Sequence, residues 1–203
     1  MTECFLTYKN IIKTDNEDLR KPSIDVQIPL SKEDEETLVL MNQYLEMGYD
    51  PEKAKEYDIR PGVGIAAPQI DILKKMFVIN AFDEEDVWYN FGVVNPKIIS
   101  YSEELTYLPS GEGCLSVPEN VNGYVHRPKR IKVKFDLYDF ENHSLTPVTM
   151  RLKNYIAVVF QHENDHLYGK LYFDHINKDN PLYVPSNSSP IRFPEDNEKE
   201  ENK

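Results

Sequence analysis

Leu38, Met41 and Leu45 recur at the spacing of one helix face, shortly after Ser31 and the acidic run Glu33, Asp34, Glu35 and Glu36. A serine N-cap with acids beside the positive end of the dipole predicts a helix opening at Ser31. Asp50 before Pro51 repeats that signature and predicts a short helical piece to about Tyr57. After a glycine-punctuated turn the period changes. Apolar runs at 76–79 and 91–94, broken by acidic or Asn/Pro positions, predict strands. Ile131, Val133, Phe135 and Leu137 alternate with Lys132, Lys134 and Asp136, which predicts an antiparallel strand with one face in water. A turn at 141–144 and a second strand over 145–152 complete a hairpin. Asn154 then opens an apolar stretch ending in His162 to His166, with Gly169 placed to close a helix in the left-handed conformation. Ile and Val are poor helix formers, so this helix must be stabilised by burial. Strands and helices in this mixture predict an α+β fold.

No repeat and no interior linker divides the 203 residues, and 40% of them are hydrophobic, enough for one packed core. The expectation is a single domain over residues 1–180. Residues 181–203, rich in Pro, Ser and Asn and ending with five acids against two lysines in the last ten positions, read as an extension with a disordered acidic end. The net charge of -12 repels a phosphate backbone, so no specific nucleic-acid partner is expected. No apolar run reaches the ~18–20 residues of a membrane span, and the N-terminus lacks the basic start of a signal peptide. A cytoplasmic monomer is the expectation. Cys4 and Cys114 are the two cysteines, and a reducing compartment argues against a structural disulfide between them.

The sharpest local pattern is His162, Glu163 and His166. Residues four apart on a helix stand one above the other, so both imidazoles reach one ion, with Glu163 close enough to act on a water beside it. A hydrolytic site needs a third protein ligand and one open position. His175 and Cys114 both offer themselves, although an isolated cysteine is more often a small buried hydrophobe. Gly62, Gly64, Ala66, Ala67 and Gln69 form a small-residue stretch suited to close backbone approach, with Gln69 a candidate amide donor to an oxyanion. A phosphate-binding loop is disfavoured, since the Lys-Ser/Thr ending is missing.

The three stretches together resemble the peptide deformylases, whose signatures are G-x-G-x-A-A-x-Q, E-G-C-L-S and Q-H-E-x-D-H. The chain carries them in that order at 62–69, 112–116 and 161–166, and the resemblance spans residues 19–176. The helical stretch between Glu46 and Arg60 and the lack of a long C-terminal helix look like the second bacterial subclass. The resemblance implies antiparallel sheets surrounding a central metal-binding helix. It implies that Cys114, His162 and His166 bind one divalent metal, Fe2+ in the cell, with Zn2+, Ni2+ or Co2+ able to substitute. Glu163 would be the general base and acid, and Gln69 with the Leu115 backbone N–H would hold the oxyanion. Val63 and Gly64 would bind the peptide as an added strand, with Gly113 on the substrate side, Val159 walling the methionine pocket and Glu112 positioning the site. The implied reaction removes the formyl group from the formyl-methionine terminus of new polypeptides.

Two other classes stay open on residues alone. A zinc peptidase shares the two-His helix, but leaves Cys114 and Gln69 unexplained and needs His175 nine residues downstream. A binding module that has lost activity would be signalled by loss of Glu163, Gln69 or a ligand, and all are present. His126, His143 and His175 read as ordinary surface or core histidines, and Cys4 as a bystander. Lys129, Arg130, Lys132 and Lys134 form the densest basic cluster, a candidate surface for transient ribosome docking.

Overall fold

The computed structural model describes residues 5–119 and 121–194, so the expectations for Cys4 and for the acidic end lie outside the described residues. Helices α1 (Lys32–Gly48) and α2 (Pro51–Glu56) come first. Strands β1 (Gly64–Ala66), β2 (Met76–Phe82), β3 (Trp88–Tyr101), β4 (Leu105–Tyr107), β5 (Arg127–Pro128), β6 (Arg130–Asp139) and β7 (Ser144–Lys153) follow, then helix α3 (Asn154–His166) and strand β8 (Ser188–Pro190). One sheet runs β1-β2-β3-β6-β7, antiparallel throughout, and the other β5-β4-β8. The architecture is α+β with antiparallel strands around α3, as expected. The exception is β8, which lies parallel to β4.

The caps form as the sequence predicts. The Ser31 side chain accepts from the Asp34 N–H, and Asp50 accepts from Glu52 and Lys53 ahead of α2. Leu38, Met41 and Leu45 are fully buried against Ile65, Val78 and Val94 on one face of the five-stranded sheet. α3 covers the other face, where Phe160 sits with its ring centroid 5.1 Å from Phe77 and 5.7 Å from Phe135. No local side chain caps α3. Instead Glu84, from the turn between β2 and β3, accepts from the Asn154 side chain and from the Tyr155 N–H at 3.4 Å, putting an acid at the positive end of the dipole. At the other end Gly169 adopts φ 68° and donates to His166 O, closing the helix as the sequence predicts. Burial and one distant carboxylate thus stabilise a sequence with weak helix propensity.

Two expectations change. The outer face of β6 is not wholly in water, because Tyr138 is buried beneath α1 with its hydroxyl donating to Glu35 at 2.7 Å. Residues 181–194, read as the start of an extension, complete the second sheet: β8 pairs with β4, Thr106 Oγ1 donates to Ser189 O at 2.8 Å, and Ile191 is buried. Pro and Ser suit an edge strand as well as a loop, and composition alone does not separate the two. Among the described residues no helix is long and apolar enough to cross a membrane.

Candidate metal and catalytic site

α3 sets the rings of His162 and His166 one turn apart and edge to face, with centroids 5.2 Å from each other. The loop after β4 brings Cys114 against them. Its Sγ lies 3.4 Å from His166 Nε2, and the ligand atoms of all three residues fall within 4.8 Å of one another. One soft sulfur and two imidazole nitrogens, all buried, make a donor set that fits a divalent transition metal. Burial opposes ionisation of Cys114, yet His166 and His162 outweigh it and hold the thiol well below its ordinary range, in the thiolate form that ligation needs. Burial likewise opposes charge on His162, and the Cys114 thiolate and Glu112 raise its pKa well above the usual histidine range.

A carboxylate chain behind the ligands fixes their orientation. His162 Nδ1–H donates to Glu112 Oε2 at 2.8 Å, which turns Nε2 towards the cluster. Glu112 in turn receives Arg127 through Nε at 2.6 Å and Nη2 at 3.0 Å, and Arg127 Nη1 reaches Asp165 Oδ2 at 2.8 Å. Burial pushes the Glu112 carboxyl up, but Arg127 and His162 more than offset this and bring it to about 2. Asp165 is brought to about 2 against its own burial by His175 and Arg127. His175 meets Asp165 at 2.8 Å and is not part of the metal-type cluster. His126 contacts Ser188 and the Tyr183 carbonyl, and His143 contacts the Tyr138 hydroxyl.

Glu163 is placed differently. Its Oε2 is buried without a hydrogen-bond partner, and burial raises its pKa to about 7 although both histidines pull it down. Only a glycine fits opposite it: a Cβ on Gly64 would stand 2.5 Å from Glu163 Oε1. Gln69 is oriented by accepting the Ala66 N–H through Oε1 at 2.8 Å, which aims Nε2 at Ser116 Oγ (3.2 Å) and Cys114 Sγ (3.5 Å). A cleft of about 230 Å³ opens above these groups, and every residue expected in the site lines it except His166, which sits behind. Exposure along its β1 wall rises from buried Gly64 through half-buried Val63 and Gly62 to exposed Pro61, so the mouth lies at Pro61.

The polypeptide deformylase family model matches residues 8–181. The chain belongs to the peptide deformylase family. It is 47% identical to the peptide deformylase of Oceanobacillus iheyensis, over 92% of this chain and 100% of that protein. It is 47% identical to peptide deformylase 2 of Bacillus anthracis, over 92% of this chain and 98% of that one. The crystal structure of the Thermotoga maritima peptide deformylase superposes with a TM-score of 0.60 at 33% identity, covering 82% of this chain and 96% of that chain. The protein is a metal-dependent hydrolase that removes the N-formyl group from newly made polypeptides.

Three residues in contact with the cluster carry no role in the sequence reading: Ser116 and Asp165, which stand inside the E-G-C-L-S and Q-H-E-x-D-H stretches, and Arg127, which lies outside all three. Asp165 could have been found by its place between the two histidines. Arg127 is one arginine in a basic stretch, and only the fold buries it.

Proposed function

We propose that Cys114, His162 and His166 hold one divalent ion, Fe2+ in the cell, and that Glu163 is the general base and acid of formyl hydrolysis. When bound there, the ion supplies Lewis acidity to the reaction. Glu163 Oε2 accepts a proton from the attacking water and delivers it to the departing amine nitrogen, so that water and formamide become formate and a free amino terminus. Gln69 Nε2 and the Leu115 N–H donate to the oxyanion of the tetrahedral intermediate. The backbone of Val63 and Gly64 on one side, with Gly113 opposite, receives the peptide as an added strand. Val159 and the His162 ring wall the methionine side-chain pocket. Glu112 touches no substrate in this scheme, because Arg127 and His162 occupy both its oxygens. It orients His162.

The observation that carries the assignment is the unpartnered, buried Oε2 of Glu163 beside a thiolate and two imidazoles at the floor of the cleft. An acid in that position accepts a proton without losing an existing hydrogen bond. The test is formate release from a formyl-Met tripeptide by protein purified without oxygen, alongside metal analysis. Release abolished by chelation and by Cys114→Ala, with iron bound, is expected. Peptide-bond cleavage without formate refutes the assignment.

The catalytic unit is one domain whose folded body runs through β8, a monomer working in the cytoplasm. It docks transiently on the ribosome through the outer face of β6 and β7. Lys132 stands directly across from Arg151 there, Arg130 across from Lys153, and Lys97 of β3 across from Lys134. Like charges directly opposite are destabilising, and a chain of net charge -12 has no general need of them. Arg130 and Lys153 meet Glu104 and Glu85, whereas Lys97, Lys132, Lys134 and Arg151 form no ion pair among the described residues. Lys129 is turned towards Ser189 and lies off this strip. Lys132→Glu with Lys134→Glu is expected to weaken co-sedimentation with ribosomes, and unchanged binding removes the docking surface.

A further inference from the structure

The mouth of the cleft is flanked by an aromatic group that the hydrolysis of a formyl-Met tripeptide does not use. Val63 O accepts from the Asn80 N–H at 2.9 Å, so β2 continues alongside the cleft wall beyond the end of β1. Gly64 pairs with Ile79, and carrying that register onward sets Phe82 level with Pro61. Gly48, at the end of α1, backs onto the same point, since a Cβ on it would stand 3.3 Å from Pro61 Cα. The next residue, Tyr49, donates its hydroxyl to Asn80 O at 2.8 Å. Trp88, directly across from Phe82 on β3, donates its indole N–H to Asn80 Oδ1 at 2.9 Å.

Both hydroxyl and indole are thereby spent on Asn80, and the ring surfaces are left over. Trp88 stacks on Phe82 with centroids 6.4 Å apart and planes 24° from parallel, and Tyr49 meets Phe82 edge-on at 6.2 Å. Yet Tyr49 remains 48% exposed, Phe82 44% and Trp88 54%, with Val87 beside them at 47%. Two aromatic rings held by hydrogen bonds, with Phe82 packed between them and all three still half in water, form an apolar shelf that no described residue covers. Its polar atoms are satisfied, so a ligand laid on it removes apolar surface from water without breaking a hydrogen bond.

We infer that this shelf binds the residues of the nascent chain downstream of the first three, and favours apolar or aromatic side chains there. The inference rests on the reading that the peptide lies along Val63 and Gly64. A peptide with its formyl end at Glu163 and Gln69 passes Gly64, then Val63, and leaves over Pro61, where Tyr49 and Phe82 begin. The occupant is therefore the substrate's own continuation, crossing the end of β1 at Pro61 to reach β2 and β3. A tripeptide is too short to reach the shelf, and a newly made polypeptide is not.

The test compares two formyl-Met hexapeptides sharing their first three residues, one ending in Leu-Phe-Leu and the other in Gly-Ser-Gly, with the shared tripeptide as reference. The expected kcat/KM is roughly three- to ten-fold higher for the apolar tail. Trp88→Ala and, separately, Phe82→Ala should bring that ratio to about one, whatever either does to the tripeptide rate. Trp88 is the single tryptophan of the chain, so its emission reports on the shelf directly. The unformylated apolar-tailed peptide should shift that emission to shorter wavelength, and the tripeptide should leave it in place. A ratio near one in the unaltered enzyme overturns the inference, as does a ratio surviving in both variants or an emission unmoved by the apolar tail. Failure of the tripeptide itself to yield formate would instead overturn the reading of the site, and the shelf's role with it.

Discussion

Replacing Gly64 by alanine adds one methyl group, and the geometry gives its consequence a size. The new Cβ would stand 2.5 Å from Glu163 Oε1, 2.8 Å from Cδ and 2.9 Å from Cγ, where ordinary contact begins at 3.4 Å. Most of the side chain is struck, so a small rotation of the carboxylate does not relieve the clash. Glu163 must retreat by about 0.9 Å. A displacement of about 1 Å in a catalytic group costs on the order of 100-fold in rate, equivalent to about 2.7 kcal/mol. Folding should hardly notice: Gly64 lies outside the left-handed region, alanine is the better strand residue, and Glu163 Oε2 has no hydrogen bond to lose. The expected result is a kcat for formate release down roughly 100-fold, with metal content and melting temperature close to those of the parent. Gly62→Ala is the control, because its Cβ meets only the flexible Leu115 side chain at 3.3 Å, and it should cost under about ten-fold. A Gly64→Ala enzyme with parental kcat, or one changed in KM alone, would refute the placement of the base.

Glu163→Gln keeps the shape and removes the proton acceptor; turnover should drop by about 10²–10⁴-fold with metal retained, as read by formate assay and elemental analysis. The acid limb of kcat/KM for the parent should fall at or below about pH 7, since Glu163 acts when deprotonated and a bound cation pulls its pKa down from that value. A limb well above pH 7, or one that persists in Glu163→Gln, would contradict this. Arg127→Met strands the buried Glu112 carboxylate and the half-buried Asp165 carboxylate, and about 3–5 kcal/mol of stability should be lost, a fall of order 10 °C in melting temperature by calorimetry. Glu112 and Asp165 are both held at about 2, below their ordinary values, so the unfolded chain takes up protons first. Their stabilisation is complete above about pH 4.5 and is lost as pH falls towards 2. A urea midpoint flat across that interval would show that the Arg127 network is not formed.

Which parts were legible follows from the range of the interactions involved. Ser31, Asp50 and Pro51 act on backbone groups within one turn of themselves, so α1 and α2 begin where the local chemistry says. The spacing of His162 and His166 is likewise a property of one helix. α3 itself was legible only as a helix requiring help, because the Glu84 carboxylate at its start comes from the turn between β2 and β3. β8 is not legible locally, because a short run of Ser and Pro takes its strand character from the open edge of β4, not from its own side chains. Tyr138 breaks the apparent period of β6 because α1 covers that end of the sheet.

The sequence by itself determined the ligand types, the order of the three motifs and the helical stacking of two imidazoles, since all of these depend on covalent neighbours and the 3.6-residue period. The motif resemblance points to Cys114, but residue spacing leaves His175 open beside it, and only the tertiary structure places Cys114 with the two histidines and His175 away from them. Sequence distance favours His175, yet Asp165 draws that ring away while a loop far upstream in the chain delivers Cys114 to within 3.4 Å of His166. The burial of Arg127, the closeness of Gly64 to Glu163 and the shelf at Tyr49, Phe82 and Trp88 belong to the same class. Each is a meeting of residues from different elements, and no local pattern encodes the packing of one element against another.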